Sequence, residues 1–270
     1  MSRCRLAFAF GLVALIAVTS AAWSQNSSTV IGNGTYTNNA VWSNLACSAN
    51  DVTAMQTLLD TQACNWLATT WSNQTASQMR SDVAVGLPAV PNGSWIFYYT
   101  GHGDNTAGYS GGLAGVNDNG SGSDLYYPSQ FAVDVATPSH PIYSYVILDA
   151  CGSGGFAKLA NIFLQARGIN ALFLTATDDS LNCAICGATY SNLTNWINQG
   201  LMGAADGACG NPPDGVVTFN ELDCYLTTNY DPLGVKHLYI PNGLGGTGIC
   251  TARPTPVHAV TWGRIKTIYR

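Results

Sequence analysis

Charge is scarce in this chain: Asp, Glu, Lys and Arg together make up 9% of 270 residues, with 10 basic against 15 acidic side chains. So few Lys and Arg leave no basic surface for a phosphate backbone or an anionic lipid, which argues against nucleic acid and membranes as partners. After the first 24 residues no apolar stretch approaches the roughly 20 residues that a helix needs to cross a bilayer. Histidine is rare too, at four residues. No clustered His and no second C-x-x-C accompanies Cys183 and Cys186, so the pair has no zinc-ligand complement, and a structural disulfide role is expected instead. With little charge available, Asn, Ser, Thr and Gly must carry the solvated face.

What is present begins with Arg3 and Arg5, then an apolar run from Leu6 to Val18, then Ala22-Trp23-Ser24. That is the pattern of a secretory signal peptide over residues 1–24, cut before Gln25. The expected mature protein is secreted, extracellular or periplasmic, with a side-chain net charge of about −7. The remaining span, 25–270, suffices for a single domain with a large buried core. Its core is expected at about 30–230, with a C-terminal extension over 231–270. Of the nine cysteines, Cys4 leaves with the leader, and the other eight meet an oxidising compartment where pairing is the default. If one is kept as a thiol, seven remain, and one of those is left over as well.

Apolar runs then set the order of elements. Val30-Ile31-Gly32 reads as a short buried strand followed by a loop. Val52, Met55, Leu58 and Leu59 have helical spacing, with Asn50 or Asp51 as N-cap. A second helical pattern spans 72–87, and Pro88, Pro91 and Asn92-Gly93 break it before the buried run 94–99. Residues 105–128, rich in Gly, Asn and Ser, read as a long surface loop. Residues 143–148 form another buried strand, 156–167 a helix, and 171–176 a further strand. Strands alternating with helices imply an α/β fold: a mostly parallel central sheet with helices on both faces, in one domain. In such sheets ligands bind beyond the carboxyl ends of the strands. Two chemically capable residues, His102 and Cys151, stand at such ends, each flanked by glycine and 49 positions apart.

Tyr98-Tyr99-Thr100-Gly101-His102-Gly103 resembles the histidine motif of the caspase, metacaspase and legumain group of cysteine peptidases. Asp149-Ala150-Cys151-Gly152-Ser153-Gly154 is similar to that group's cysteine motif, and the separation matches the spacing of about 50 residues known for caspases. Residues 45–55 resemble the Cys-containing helix start of metacaspases, and 171–179 the strand and acidic turn after the catalytic helix. The resemblance, closest to bacterial members, covers about 30–230 and implies a caspase-like fold. It implies cleavage of peptide or protein substrates by a dyad in which Cys151 is the nucleophile and His102 its proton partner. It also implies an oxyanion hole made by the backbone N–H groups of Gly103 and Cys151.

By the same resemblance Asp149 and Asp51 line the primary pocket and select Arg or Lys before the cut bond. Asp51 as a mere helix cap is the competing assignment. Two alternatives stay open: a legumain-type peptidase that prefers Asn, and a non-catalytic, disulfide-stabilised secreted binding domain with Cys151 oxidised. No cofactor is expected to be required. Calcium, common among metacaspases, has only weak candidate ligands here, Asp178, Asp179, Asp214 and Glu221. The run 214–222 has half an EF-hand loop, but Gly210 and Pro212 fall where oxygen ligands belong. Thr218 and Glu221 instead match a helix capping box, with Cys209 and Cys224 placed to bridge around it. His237 is expected to be structural or solvated rather than catalytic, and a monomer is expected.

Overall fold

The computed structural model describes residues 26–87, 93–104, 111–136, 143–178, 186–187, 189–233 and 235–251. Along the chain lie β1 (Ser27–Gly32), α1 (Cys47–Leu59), β2 (Leu67–Ser72), α2 (Ala76–Gly86), β3 (Ser94–Thr100), β4 (Leu113–Ala114), β5 (Leu125–Tyr126) and α3 (Pro128–Val135). They are followed by β6 (Tyr143–Asp149), α4 (Ser153–Gln165), β7 (Ala171–Thr175), α5 (Asn192–Gln199), β8 (Val216–Thr218), α6 (Phe219–Asn229), β9 (Leu238–Ile240) and β10 (Gly248–Thr251). The central sheet has the order β2-β1-β3-β6-β7-β9. Its first five strands are parallel and β9 runs antiparallel at one edge.

Strands of a parallel sheet are covered on both faces, which is why β3, β6 and β7 are continuous apolar runs and not alternating ones. Alternate residues point to opposite faces. Val30, Ile96, Tyr98, Ile147 and Leu174 meet α1, α5 and α6, whereas Ile31, Trp95, Phe97, Val146 and Phe173 meet α2, α3 and α4. The expected α/β architecture, mostly parallel and covered on both sides, is the one observed.

Several local expectations give way. Helix α1 begins at Cys47, with Ala46 as its cap, so neither Asn50 nor Asp51 is the cap and Asp51 sits one turn inside. Ser72 belongs to β2, a strand that the sequence pattern hides, because it is an edge strand of mixed polarity. Helix α2 starts only at Ala76, after a Thr75–Gln78 capping box. The stretch expected as a surface loop contains β4 and β5, a buried antiparallel pair with Leu113, Ala114, Leu125 and Tyr126 inside. Its residues 105–110 lie outside the described residues, as do the leader 1–24, Cys183 and Asp179. The extension expected after residue 230 supplies β9 to the central sheet and β10 to a pair with β8. Among the described residues three disulfides join Cys47 to Cys186, Cys64 to Cys250 and Cys209 to Cys224. The last is the bridge that the positions of Cys209 and Cys224 around the capping box allowed. Cys186 of the C-x-x-C bonds to Cys47, far away in sequence, and not to its near neighbour.

Candidate active site

Strands β3 and β6 pair in register, with Thr100 opposite Asp149. Two residues past that pair, the neighbouring strand ends release His102 and Cys151, and both line one small pocket. The turn carrying Cys151 is fixed by Gly152, whose φ of 65° favours glycine, and by the first residues of α4. Gly154 donates its N–H to Thr177 Oγ1 at 3.2 Å, and Thr177 returns its own N–H to Ser153 Oγ at 3.3 Å. Cys151 stands outside the three disulfides and is partly exposed. It lies beside the N-terminus of α4.

His102 is held through its backbone and its ring. Its N–H donates to Tyr36 Oη at 2.8 Å, and its carbonyl accepts from Tyr99 Oη at 2.8 Å. The ring packs between Tyr36 and Trp42, with centroids 5.0 and 5.2 Å away. Nε2 lies 2.7 Å from the carbonyl oxygen of Ser43. A carbonyl can only accept, so Nε2 carries the proton and Nδ1 is the acceptor of the neutral ring. Burial holds the imidazole pKa below its usual value, an effect the Ser43 carbonyl partly opposes, so the neutral ring predominates at pH 7. A third group orienting His102 is therefore present. It has no side-chain signature, and the sequence offers no signal for it.

Gly103 follows. A Cβ there would come within 2.0 Å of the carbonyl oxygen of Cys151, so only glycine lets this backbone lie against the Cys151 turn. Gly103 also bridges to Leu113, and the two hydrogen bonds around that bridge come from Asp104 N and Ala114 N. Neither uses the Gly103 N–H.

Next to the pair lies a buried chain of polar groups. Asp51, fully buried, accepts from Thr100 Oγ1 at 3.0 Å and from the Ser191 N–H at 2.9 Å. Asp149 accepts from Ser191 Oγ, from Thr194 N–H at 3.2 Å and from Thr194 Oγ1 at 2.7 Å. Since Thr194 gives its proton to Asp149, Tyr98 Oη donates to Thr194 at 2.5 Å. Burial, then the neighbouring Asp149 charge, raises the Asp51 pKa to about 7. Burial raises Asp149 as well, against the opposing donors Ser191 and Thr194. Asp149, Ser191, Cys47 and Cys186 line the same pocket as His102 and Cys151, while Asp51 stands behind them. The structure thus gathers five sequence-selected residues, His102, Gly103, Cys151, Asp149 and Asp51, in one place. Sequence reasoning missed Ser191 and the Cys47–Cys186 wall. The Ser-x-x-Thr before an amphipathic run announces a helix cap, which Ser191 is, but not its two carboxylate partners.

The calcium candidates do not converge. Glu221 is occupied by Thr218 in the expected capping box and by the Gly207 N–H, while Asp214 accepts from Val216 in a local turn. Asp178 follows β7 and offers its carbonyl to Lys158. Among the described residues no group of three or more His, Cys, Asp or Glu is arranged to hold a metal ion, and no helix is long and apolar enough to cross a membrane. Of the two fates expected for His237, structural or solvated, the first is observed: it is clamped between Asp231 and Asp223 at 2.6 and 2.7 Å, and these bonds raise its pKa against the effect of burial.

A family model described as "Caspase domain" matches residues 27–202. No curated protein matches the chain. Among solved structures, a crystal structure of a protein from Geobacter sulfurreducens superposes with a TM-score of 0.60 at 10% identity, over 85% of this chain and 100% of that one. At that identity the likeness is one of fold alone.

Proposed function

Since the chain belongs to the Caspase domain family, we propose that it is a secreted cysteine endopeptidase cutting after Arg or Lys. The observation that carries the reading is the shared pocket: Cys151 and His102 leave register-matched strand ends and line one cavity with Asp149. Neutral His102 takes the thiol proton at Nδ1 as the sulfur attacks the scissile carbonyl. The N–H groups of Gly103 and Cys151 receive the oxyanion. The imidazolium then protonates the departing amine, and water attacks the thioester with His102 again as base. The dyad needs no cofactor for these steps. Buried Asp149, backed by Asp51, supplies negative charge for a guanidinium or ammonium group. The three disulfides and the leader pattern support export. Cys151 lying outside those bridges favours catalysis over the non-catalytic alternative.

One observation favours a second specificity. With Asp51 at a pKa of about 7, the acid pair holds a proton below neutrality. It then offers both a donor and an acceptor, which suits an asparagine carboxamide. Fluorogenic peptides with Arg, Lys, Asn or Asp before the cut, assayed from pH 5 to 9, separate the two. Arginyl cleavage is expected to rise as pH climbs through about 7, because Asp51 ionises there. Cys151→Ala and His102→Ala are each expected to lower kcat/KM by at least ~1,000-fold with unchanged circular dichroism. An arginyl chloromethyl ketone is expected to label Cys151. Undiminished turnover in either variant refutes the dyad.

A further inference from the structure

The residue that joins the two carboxylates has no counterpart in the motifs that pointed to them. Ser191 gives its backbone N–H to Asp51 and its hydroxyl to Asp149, and its Oγ also accepts from Thr194 N–H to cap α5. It stands at the end of a short turn, closed by the Gly187 N–H to Tyr190 carbonyl bond and by the bridge of Cys186 to Ser191. That turn is fastened to α1 at three points. Cys186 is bonded to Cys47, Asn50 Nδ2 donates to the Thr189 carbonyl at 2.8 Å, and Asp51 receives Ser191. Positions 47, 50 and 51 are one stripe of a helix, i, i+3 and i+4. One face of α1 therefore holds the turn along its length, with a covalent bond at the end nearest the pocket.

We propose that Ser191, held by the Cys47–Cys186 disulfide, is the positioning residue of the primary pocket, and that it fixes the paired carboxylates for a cationic side chain. This rests on the reading of Asp51 and Asp149 as that pocket. Neither carboxylate has a Lys or Arg partner among the described residues, so neutral donors are all that favour their charge. Ser191 alone reaches both. The other titratable groups facing the pair are Tyr98 and Tyr230, whose phenols burial pushes well up, so they stay neutral. Cys151 and His102 line the same pocket. Removing the hydroxyl of Ser191 withdraws a donor from Asp149 and makes its charge harder to form, so the pocket ionises at higher pH. The disulfide acts through the same residue. An assay buffer reducing enough to open Cys47–Cys186 loosens the turn while it protects the nucleophile.

Ser191→Gly tests this, because glycine also serves as an N-cap and keeps the backbone N–H that reaches Asp51. The expected result is a KM for arginyl peptides raised roughly tenfold, with kcat within about threefold. The acid limb of kcat/KM should move to higher pH, and Ser191→Thr should restore both. The double variant Cys47→Ser/Cys186→Ser is expected to raise KM in the same way, and adding Ser191→Gly to it should change little, since both act on one contact set. Calorimetry of an arginyl peptide on Cys151→Ala protein, with and without Ser191→Gly, reads the same loss without turnover. Unchanged KM, pH limb and peptide affinity in Ser191→Gly, with arginyl recognition destroyed by Asp149→Asn, overturn this proposal and leave the pocket reading standing. Arginyl recognition surviving Asp149→Asn, or no arginyl peptide binding to Cys151→Ala protein, overturns the pocket reading and this proposal with it.

Discussion

Each face of the central sheet is covered by three helices, yet the two coverings are held by different means. Helices α2, α3 and α4 each lie between central-sheet strands that follow one another in the chain, α2 and α4 through short connections and α3 after the β4–β5 pair. Their side of the core carries no disulfide among the described residues. It is packed by aromatic rings, with Phe131 at centroid distances of 5.3 to 6.3 Å from Phe97, Phe156, Tyr126 and Trp95. On the opposite face only α1 is a local crossover. Helices α5 and α6 belong to a long excursion between β7 and β9, and all three disulfides lie on this side. Two of them span 139 and 186 residues, tying the excursion and β10 back to α1 and to the residues just before β2. Contacts between such distant segments carry a large loop-closure entropy, and a covalent link removes most of it from the unfolded chain.

The candidate site straddles this division. Cys151 lies in the turn that leads into α4 on the aromatic face, whereas Asp51 and Ser191 come from the cross-linked one. In the proposed reading the nucleophile and its base thus leave the ends of β6 and β3, while the acid pair takes Asp149 from β6 and both Asp51 and its partner Ser191 from the cross-linked side.

The largest expected effect falls on the aromatic face. Phe131→Ala should lower unfolding free energy by about 3–5 kcal/mol, measured by denaturant titration, and its cost should be the same with and without reductant. A cost that vanished on reduction would mean the two faces are not held independently. Cys64→Ser/Cys250→Ser should cost about 2–4 kcal/mol under non-reducing conditions and nothing once wild type is reduced; equal stability of the two under oxidising conditions would remove the stapling argument. The smallest effect concerns pH and sharpens the contrast. Each face buries an ill-solvated carboxylate: Asp51, beside Asp149, with its pKa raised to about 7, and Asp82 to about 6, both chiefly by burial. The native state then binds a proton more tightly than the unfolded chain. Unfolding releases that proton, so stability falls as pH rises from about 4 to 7 for Asp51 and to 6 for Asp82. Asp51→Asn and Asp82→Asn should each flatten stability over their own window. Only Asp51→Asn should also disturb arginyl cleavage, because Asp82 lies on α2, on the face opposite the acid pair.

Strongly patterned elements were legible before any coordinates. The runs at β3, β6 and β7 have one physical solution, burial on both sides, and their glycine-rich ends marked His102 and Cys151. The capping box of Thr218 and Glu221 was legible too, because caps are local. What misled was chain whose fate depends on distant partners. Strand β2 is polar enough to pass for loop, and the β4–β5 pair hides in a Gly-, Asn- and Ser-rich stretch. Strand β9 follows a break that looks like the end of the core.

By itself, then, the sequence determined the layered α/β architecture and the two strand ends that carry sulfur and imidazole, since apolar periodicity and turn chemistry act over a few residues. Tertiary structure decided which cysteines bond, that a Ser43 carbonyl orients His102, that Asp51 lies inside a helix beside Asp149, and that Ser191 joins the two. Apart from the local Cys209–Cys224 bridge, those outcomes rest on contacts across 42 to 186 positions, made by cysteines, backbone groups and small polar side chains that any surface loop also contains. Only the folded chain selects among them.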